Sequence, residues 1–412
     1  MNGITSLDAD SFGTSILVRE LGGTDLAARN PDVPLPPASN TKLLTTALAL
    51  HYLTPDYRFE THVTSVENSL VLSGRGNPSL SREELMTLAD AVRDAGIDSV
   101  TDIVADVAWF DGESRGPGWM WEDGQYGYGA ESTPLALDRN LVSVTVSGTD
   151  VELTPNTDEI EYATEFDESA DELLVFRELT TGTIRVGGKP TDAPQTESVP
   201  VGNPVRHCLL AFRDALETAE VAHTGELGVA RNQTSSEPIA AVKSPSVADL
   251  VREMNVPSDN FLAEGLARTV AHDVRGEGSW GAWETVVREF LEERGADKFR
   301  IRDGSGLSRY NLISARGMVE TLEWVADRPW SEVFFDSLPT AGEGTLETRF
   351  SDMESEIRAK TGTLTGSRTL SGIVRREGEP DVVFSVLLGG LVGEDEENAR
   401  DRIDEFVCEL VD

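Results

Sequence analysis

The stretch Pro36-Pro37-Ala38-Ser39-Asn40-Thr41-Lys42-Leu43-Leu44-Thr45-Thr46-Ala47-Leu48-Ala49-Leu50 decides the fold and contains the first candidate catalytic pair. Two prolines precede Ser39, a normal helix start, and the residues that follow favour a helix to about Leu53. This helix is apolar on nearly all sides, which predicts that it is buried. Because residues three positions apart lie on one helix face, Lys42 can reach Ser39.

A serine beside a lysine is a pattern typical of covalent catalysis. The hydroxyl needs a neighbouring base to become a nucleophile. A lysine can act as that base only where burial or a second cation destabilises its ammonium form. The apolar helix would bury Lys42, and Lys360 could supply the second cation. The start of the helix also offers the backbone N–H of Ser39 to an oxyanion.

Two further motifs carry suitable chemistry. In Ser258-Asp259-Asn260, the first and third side chains can relay a proton and hold the lysine head group and a substrate amide. In Lys360-Thr361-Gly362, a cation and a hydroxyl suit a terminal carboxylate, and the glycine leaves room for a substrate backbone beside a strand edge. Alone, each motif is usually structural. Together they are significant, because only five of the 35 basic residues are lysines.

The order of predicted elements indicates an α+β chain with an insertion. Residues 1–55 and 241–412 are predicted to form one discontinuous catalytic domain, and 56–240 an inserted β-rich region of one or two domains. Predicted helices are 39–53, 81–95, 204–217, 247–254, 260–272, 280–294, 315–326 and 396–410. Predicted strands are 15–21, 58–66, 69–72, 103–110, 141–146, 183–186, 368–375 and 381–388, with an acidic loop or edge at 158–172.

Charge is the most unusual global property. The 73 acidic residues against 35 basic ones give a net charge of −38. Such a surface repels nucleic acid and anionic membranes. Acidic, lysine-poor composition is typical of proteins from salt-loving organisms, in which molar salt screens self-repulsion. No stretch is long and apolar enough for a membrane span.

The three motifs resemble the low-molecular-mass class C penicillin-binding proteins, which are D-alanyl-D-alanine carboxypeptidase/endopeptidases. The separation of 219 positions between Ser39 and Ser258 is diagnostic of that family, since class A β-lactamases keep these motifs closer. The other stretches that carry the resemblance are 72–80, 251–255, Asp303-Gly304-Ser305-Gly306-Leu307-Ser308, 338–342 and 344–346.

The resemblance implies a serine transpeptidase/β-lactamase-like domain, an antiparallel sheet flanked by helices, with inserted β-rich domains. It implies peptides ending in D-Ala-D-Ala as substrates and β-lactams as covalent inhibitors. No cofactor is expected, and the lack of an HExxH motif and of a cysteine cluster argues against a metal site. The residue roles that it implies are Ser39 as nucleophile, Lys42 as general base, Ser258 and Asn260 as the second catalytic element, Lys360, Thr361 and Gly362 as substrate-binding residues, and the backbone N–H of Thr363 as partner of that of Ser39 in the oxyanion hole.

Several alternatives remain open. Gly112-Glu113-Ser114-Arg115-Gly116 fits the nucleophile elbow of α/β-hydrolases, but that elbow must open a helix and Pro117-Gly118 follows. A β-lactamase-like, esterase or aminopeptidase relative would share the acylation machinery, and a non-catalytic cell-wall peptide-binding protein would share the fold. The family acts outside the cytoplasm, yet the first residues lack the layout of a secretory signal. A bridge between Cys208 and Cys408 is also undecided.

Overall fold

A computed structural model describes residues 12–155, 160–231, 237–351, 353 and 355–409. The first eleven residues, on which the expectation about a secretory signal rests, lie outside the described residues. So do positions 158 and 159 of the predicted acidic loop and position 410 of the last predicted helix.

Each predicted helix and strand overlaps a described element, but the predicted strand 103–110 ends at position 106, and several strands and the short helix at 331–336 were not predicted. The strands are β1 (Gly13–Glu20), β2 (Asp25–Arg29), β3 (Arg58–Val66), β4 (Ser69–Gly74), β5 (Ser99–Val100), β6 (Ile103–Asp106), β7 (Leu141–Gly148), β8 (Asp150–Thr154), β9 (Tyr162–Phe166), β10 (Leu173–Arg177), β11 (Ile184–Gly188), β12 (Thr191–Pro200), β13 (Ala222–His223), β14 (Leu227–Ala230), β15 (Ala240–Ser246), β16 (Glu356–Leu364), β17 (Ser367–Arg375) and β18 (Val382–Gly389). The helices are α1 (Thr41–Tyr52), α2 (Arg82–Asp94), α3 (Pro204–Thr218), α4 (Val247–Asn255), α5 (Asn260–Arg275), α6 (Trp280–Glu292), α7 (Ala315–Ala326), α8 (Ser331–Asp336) and α9 (Glu394–Cys408).

The chain divides into two compact units. One contains the chain up to Tyr57, the short segment Gly116–Gly118, and everything from Ser246 onward. The other contains Arg58–Arg115 and Trp119–Pro245. The domain limits given above, 1–55 with 241–412 and 56–240, stay a prediction.

The first unit is built on a five-stranded antiparallel sheet in the order β16-β17-β18-β1-β2. Strand β18 is buried along its whole length, which requires cover on both faces of the sheet. On one face, α9 packs on an apolar cluster that includes Val382, Phe384, Val386 and Leu388. On the other face, α7 packs against β1 and β18. The predicted α+β class, with an antiparallel sheet flanked by helices, is confirmed.

Helix α1 is the buried helix that the sequence predicts. Every residue from Thr41 to Leu50 is buried, including Lys42. It packs on α5 and α4. Because α1 has no solvent-facing side over these ten residues, its polar side chains must find partners inside the protein.

The second unit is rich in strands. Its largest sheet has the order β14-β6-β4-β3-β15 and includes parallel pairs, and two three-stranded sheets have the orders β12-β7-β8 and β10-β11-β9. Helices α2 and α3 pack against each other over the main apolar cluster of this unit. Among the described residues, no helix combines the length and the apolar character needed to cross a bilayer.

Candidate active site

The candidate nucleophile lies immediately before α1. Ser39 is the middle residue of a single 3-10 turn, Ala38–Asn40, that continues directly into the helix. Lys42 Nζ donates a hydrogen bond to Ser39 Oγ at 3.0 Å. The i, i+3 spacing thus brings a hydroxyl and an amine into direct contact.

The head group of Lys42 is enclosed by acceptors. Besides Ser39 Oγ, it donates to Asn260 Oδ1 at 2.7 Å and to the Ser305 carbonyl at 2.8 Å, which uses all three ammonium protons. The side chain is 0% exposed. Burial lowers the pKa of Lys42 to about 8, against an opposing effect from nearby carboxylates, the largest that of Glu264. Near neutral pH, Lys42 is therefore able to give up and take back a proton.

The Ser258-Asp259-Asn260 motif forms the start of α5. Asp259 caps the helix by accepting from the Leu262 N–H at 2.9 Å, so that Asn260 becomes the first helical residue and faces Lys42. Ser258 has a φ of 67°, which is unfavourable for a residue other than glycine. Such a conformation persists only where the surrounding structure enforces it, and strained residues of this kind are common at functional sites.

The Lys360-Thr361-Gly362 motif lies inside β16, at an edge of the sheet. Lys360 is 0% exposed and its Nζ donates to the Thr361 carbonyl at 3.1 Å. Burial, followed by the positive charge of Lys42, holds the pKa of Lys360 well below its usual value. Thr361 is half-buried and Thr363 is exposed. Within the described chain, residues 361–364 pair with β17 alone, so their outer edge can accept an added strand.

Asn40 connects the nucleophile turn to this strand, a role that the sequence did not predict. Its Nδ2 donates to the Lys360 carbonyl at 2.6 Å, and its Oδ1 accepts from Ser371 Oγ at 2.6 Å. Ser371 Oγ is also 2.8 Å from Ser385 Oγ. This buried chain of polar groups fixes the nucleophile turn against β16, β17 and β18.

Gly362 allows close packing between β16 and neighbouring segments of the same chain. A Cβ at this position would lie 2.1 Å from Thr369 Oγ1 and 2.7 Å from the Pro37 carbonyl. The space beside Gly362 is therefore filled by this chain's own residues rather than left for a substrate backbone. The missing side chain lets β16 approach the segment that precedes Ser39.

The sequence analysis assigned no role at the site to Glu264, Asp303 or Ser305, although the last two lie in the stretch 303–308 that carries the family resemblance. Glu264, Asp303 and Ser305 surround Lys42 without belonging to any of the three motifs. The signal that could have found Glu264 is its position, one helical turn after Asn260 and alone in the apolar run Phe261-Leu262-Ala263-Glu264-Gly265-Leu266-Ala267. A single carboxylate in a buried helix must have a specific partner.

The alternative sites do not assemble. Ser114 Oγ donates to Glu131 Oε2 at 2.7 Å, and no helix follows it, so the nucleophile-elbow interpretation fails. In the described ranges, no group of histidine, cysteine and acidic residues could hold a metal ion. Cys208 and Cys408, which both lie in the described part of the chain, are not joined by a disulfide bond.

Comparison with known proteins decides the family. The family described as "D-Ala-D-Ala carboxypeptidase 3 (S13)" matches residues 7–410 of the chain. The chain belongs to this family. It is accordingly a serine peptidase of the D-Ala-D-Ala carboxypeptidase type. The predicted class C penicillin-binding resemblance is confirmed at the level of the family.

Individual S13 relatives cover most of the chain. A D-alanyl-D-alanine carboxypeptidase of Actinomadura sp. (strain R39) is 33% identical over 418 aligned positions, covering 92% of this chain and 78% of that protein. The carboxypeptidase DacB of Haemophilus influenzae is 24% identical and covers 89% and 82%. The crystal structure of penicillin binding protein 4 (dacB) from Haemophilus influenzae has a TM-score of 0.87 at 22% identity, covering 100% of this chain and 98% of that one. This likeness shows the fold.

Proposed function

We propose that this S13 peptidase hydrolyses peptides ending in D-Ala-D-Ala through an acyl-enzyme on Ser39, with carboxypeptidase and endopeptidase activity. The observation that carries the proposal is the 3.0 Å contact between Lys42 Nζ and Ser39 Oγ, in a pocket that buries the lysine completely. This contact supports Ser39 as the nucleophile and Lys42 as the base that activates it.

In acylation, Ser39 Oγ attacks the carbonyl carbon of the penultimate D-alanine while its proton passes to the neutral Lys42 amine. The backbone N–H groups of Ser39 and Thr363 stabilise the oxyanion that forms. Collapse of the intermediate breaks the C–N bond. The leaving D-alanine amine takes the proton that Lys42 accepted from Ser39, relayed by the Ser258 hydroxyl, while Asn260 holds Lys42 in place. Water then hydrolyses the ester with Lys42 as base, which returns Ser39 to its starting state.

Substrate recognition is assigned to β16. The terminal carboxylate would lie at Lys360 and Thr361, and the peptide backbone would extend along the outer edge of the strand. A carboxylate next to Lys360 favours its charged form, which in turn disfavours a charge on Lys42.

We extend the proposal to inhibition and habitat. A β-lactam would acylate Ser39 as the substrate does; a β-lactam complex is known for the Haemophilus influenzae penicillin binding protein 4. The charge of −38 and the scarcity of lysine support a protein adapted to molar salt.

Labelling with a fluorescent penicillin, followed by peptide mapping, tests the proposal. The wild-type protein should carry the label on the peptide that contains Ser39, and Ser39→Ala should lose it while keeping the melting temperature of the wild type. Ser114→Ala is the matched control and should label normally. Label that persists in Ser39→Ala would refute the assignment of the nucleophile.

A further inference from the structure

The buried carboxylate of Glu264 is linked to Lys42 indirectly, through the backbone of Ser305. Glu264 lies on α5, one helical turn beyond Asn260, and is 0% exposed. Its Oε2 accepts from the Gly304 N–H at 2.8 Å and its Oε1 from the Ser305 N–H at 2.9 Å. Two consecutive backbone N–H groups thus bind the two oxygens of one carboxylate, which is a strong and directional arrangement.

The carbonyl group of the same residue, Ser305, contacts the lysine. The carbonyl of Ser305 accepts from Lys42 Nζ at 2.8 Å. Helix α5 therefore holds Lys42 twice, directly through Asn260 Oδ1 and indirectly through Glu264 and the loop 303–308. Both contacts, together with Ser39 Oγ, define the position of the amine.

Close packing makes this loop a rigid connection. A Cβ at Gly304 would lie 2.5 Å from Ala267 Cβ of α5, and a Cβ at Gly306 would lie 1.8 Å from the Ala38 carbonyl of the nucleophile turn. The loop is thus in contact with α5 on one side and with the nucleophile turn on the other. Such tight contact transmits a displacement instead of absorbing it.

We propose that Glu264 is a positioning residue of the acylation machinery, whose carboxylate both fixes the Ser305 carbonyl against Lys42 and sets, through its charge, the pH at which Lys42 becomes a base. The inference rests on the proposed function, in which Lys42 is the base. Glu264 does not touch the substrate or the reacting atoms.

The charged groups around Glu264 and Lys42 determine the direction in which loss of Glu264 should move the pKa of Lys42. Lys42 is faced by the carboxylates of Glu264, Asp303 and Asp259, and by the amino group of Lys360 on β16. Glu264 is faced by Asp303. Burial and that neighbour raise the pKa of Glu264, whereas the N–H groups of Gly304 and Ser305 act in the opposite direction because they bind its charged form. The negative charge of Glu264 stabilises the ammonium form of Lys42. Its removal should let Lys42 lose its proton at lower pH.

The test measures the rate of acylation by a fluorescent penicillin between pH 5.5 and 9.5, in buffers of constant ionic strength. In the wild type the rate should rise with pH as Lys42 deprotonates. Glu264→Gln removes the charge at constant shape and presents an amide donor to one backbone N–H. We expect the rising, acidic part of its pH–rate profile (the acid limb) to move to lower pH by roughly one unit. The maximal rate at high pH (the plateau) should fall by about tenfold or more because the loop is displaced.

Two further variants separate charge from position. Glu264→Asp keeps the charge but is one methylene too short for both N–H groups, so its plateau should fall while its acid limb stays near the wild-type value. Thr269→Val lies on the same helix, where the Thr269 hydroxyl is buried without a hydrogen-bond partner in the described part of the chain. It should leave both the limb and the plateau unchanged.

The outcomes are distinguishable. An acid limb of Glu264→Gln at the wild-type pH, in a protein whose Ser39 is labelled, would overturn the inference and leave the proposed function standing. Equal displacement of the limb in Glu264→Asp would overturn the electrostatic role. A wild-type protein that is not labelled at Ser39 would refute the proposed function and the inference with it.

Discussion

Replacement of Lys360 by methionine tests how the enzyme recognises a free carboxyl terminus. Methionine has a similar length and no charge, so the variant removes the cation and preserves the packing of β16. Lys360 is fully buried, so solvent screens its charge little. A charge-assisted hydrogen bond contributes about 1.5–3 kcal/mol, which corresponds to roughly 10- to 150-fold. We expect kcat/KM for a peptide ending in D-Ala-D-Ala to fall by this factor relative to that for its C-terminal amide.

The quantity to measure is the acid-to-amide ratio of kcat/KM, because loss of the second cation near Lys42 slows both substrates. Arg358→Met is the matched control. Arg358 lies two residues earlier on the same strand, and its charge is already balanced by Asp336 at 3.2 Å and Glu356 at 2.5 Å. It should leave the ratio unchanged. Equal losses on acid and amide in Lys360→Met would refute carboxylate recognition by Lys360.

Three other outcomes are expected. Gly362→Ala should destabilise the protein by about 1–3 kcal/mol in urea unfolding and slow acylation, because the new Cβ would overlap Thr369 Oγ1; wild-type stability would contradict the close packing. Acylation of Ser39 should rise about tenfold from pH 6 to 7 and level off above about pH 8, since burial lowers the pKa of Lys42 to about 8; a pH-independent rate would argue against Lys42 as the base. The melting temperature should rise by several degrees from low to molar KCl, because salt screens the repulsion within a protein of net charge −38; a flat or falling curve would refute adaptation to salt.

The sequence predicted helices and strands well where a single local signal, such as a helix cap, a turn or a continuous apolar run, determines the structure. Helix α7 has the predicted limits, and so does strand β3, because clear turn or capping signals bound them. Helix α2 begins after Ser81, whose side chain and that of Glu84 form a capping box. The apolar character of α1 predicted its burial, and that burial is what changes the pKa of Lys42.

Contacts between distant segments could not be predicted in the same way. The sequence indicated that Ser39, Asn260 and Lys360 act together, but gave no reason to place Glu264 or Ser305 beside Lys42. Their contacts depend on how α5 packs against a loop some forty residues later. Gly362 was expected to leave space for a ligand, whereas in the structure that space is occupied by the Pro37 carbonyl. Which segment packs against a strand depends on the whole fold, so the local sequence could not predict it.

The hydrogen bond from Asn40 to the Lys360 carbonyl joins residues 320 positions apart, and β1 pairs with β18 near the other end of the chain. During synthesis on the ribosome, the turn that carries Ser39 emerges first, and β16 is among the last strands to appear. At about 5–20 residues per second, the interval between them is roughly 20–60 s. Through that interval the serine has no β16 beside it, the strand to which we assign carboxylate binding, and the sheet of the first unit lacks three of its five strands. Hydrolytic competence should therefore arise only when translation is nearly complete, and a prematurely terminated chain should be inert towards both peptide and penicillin.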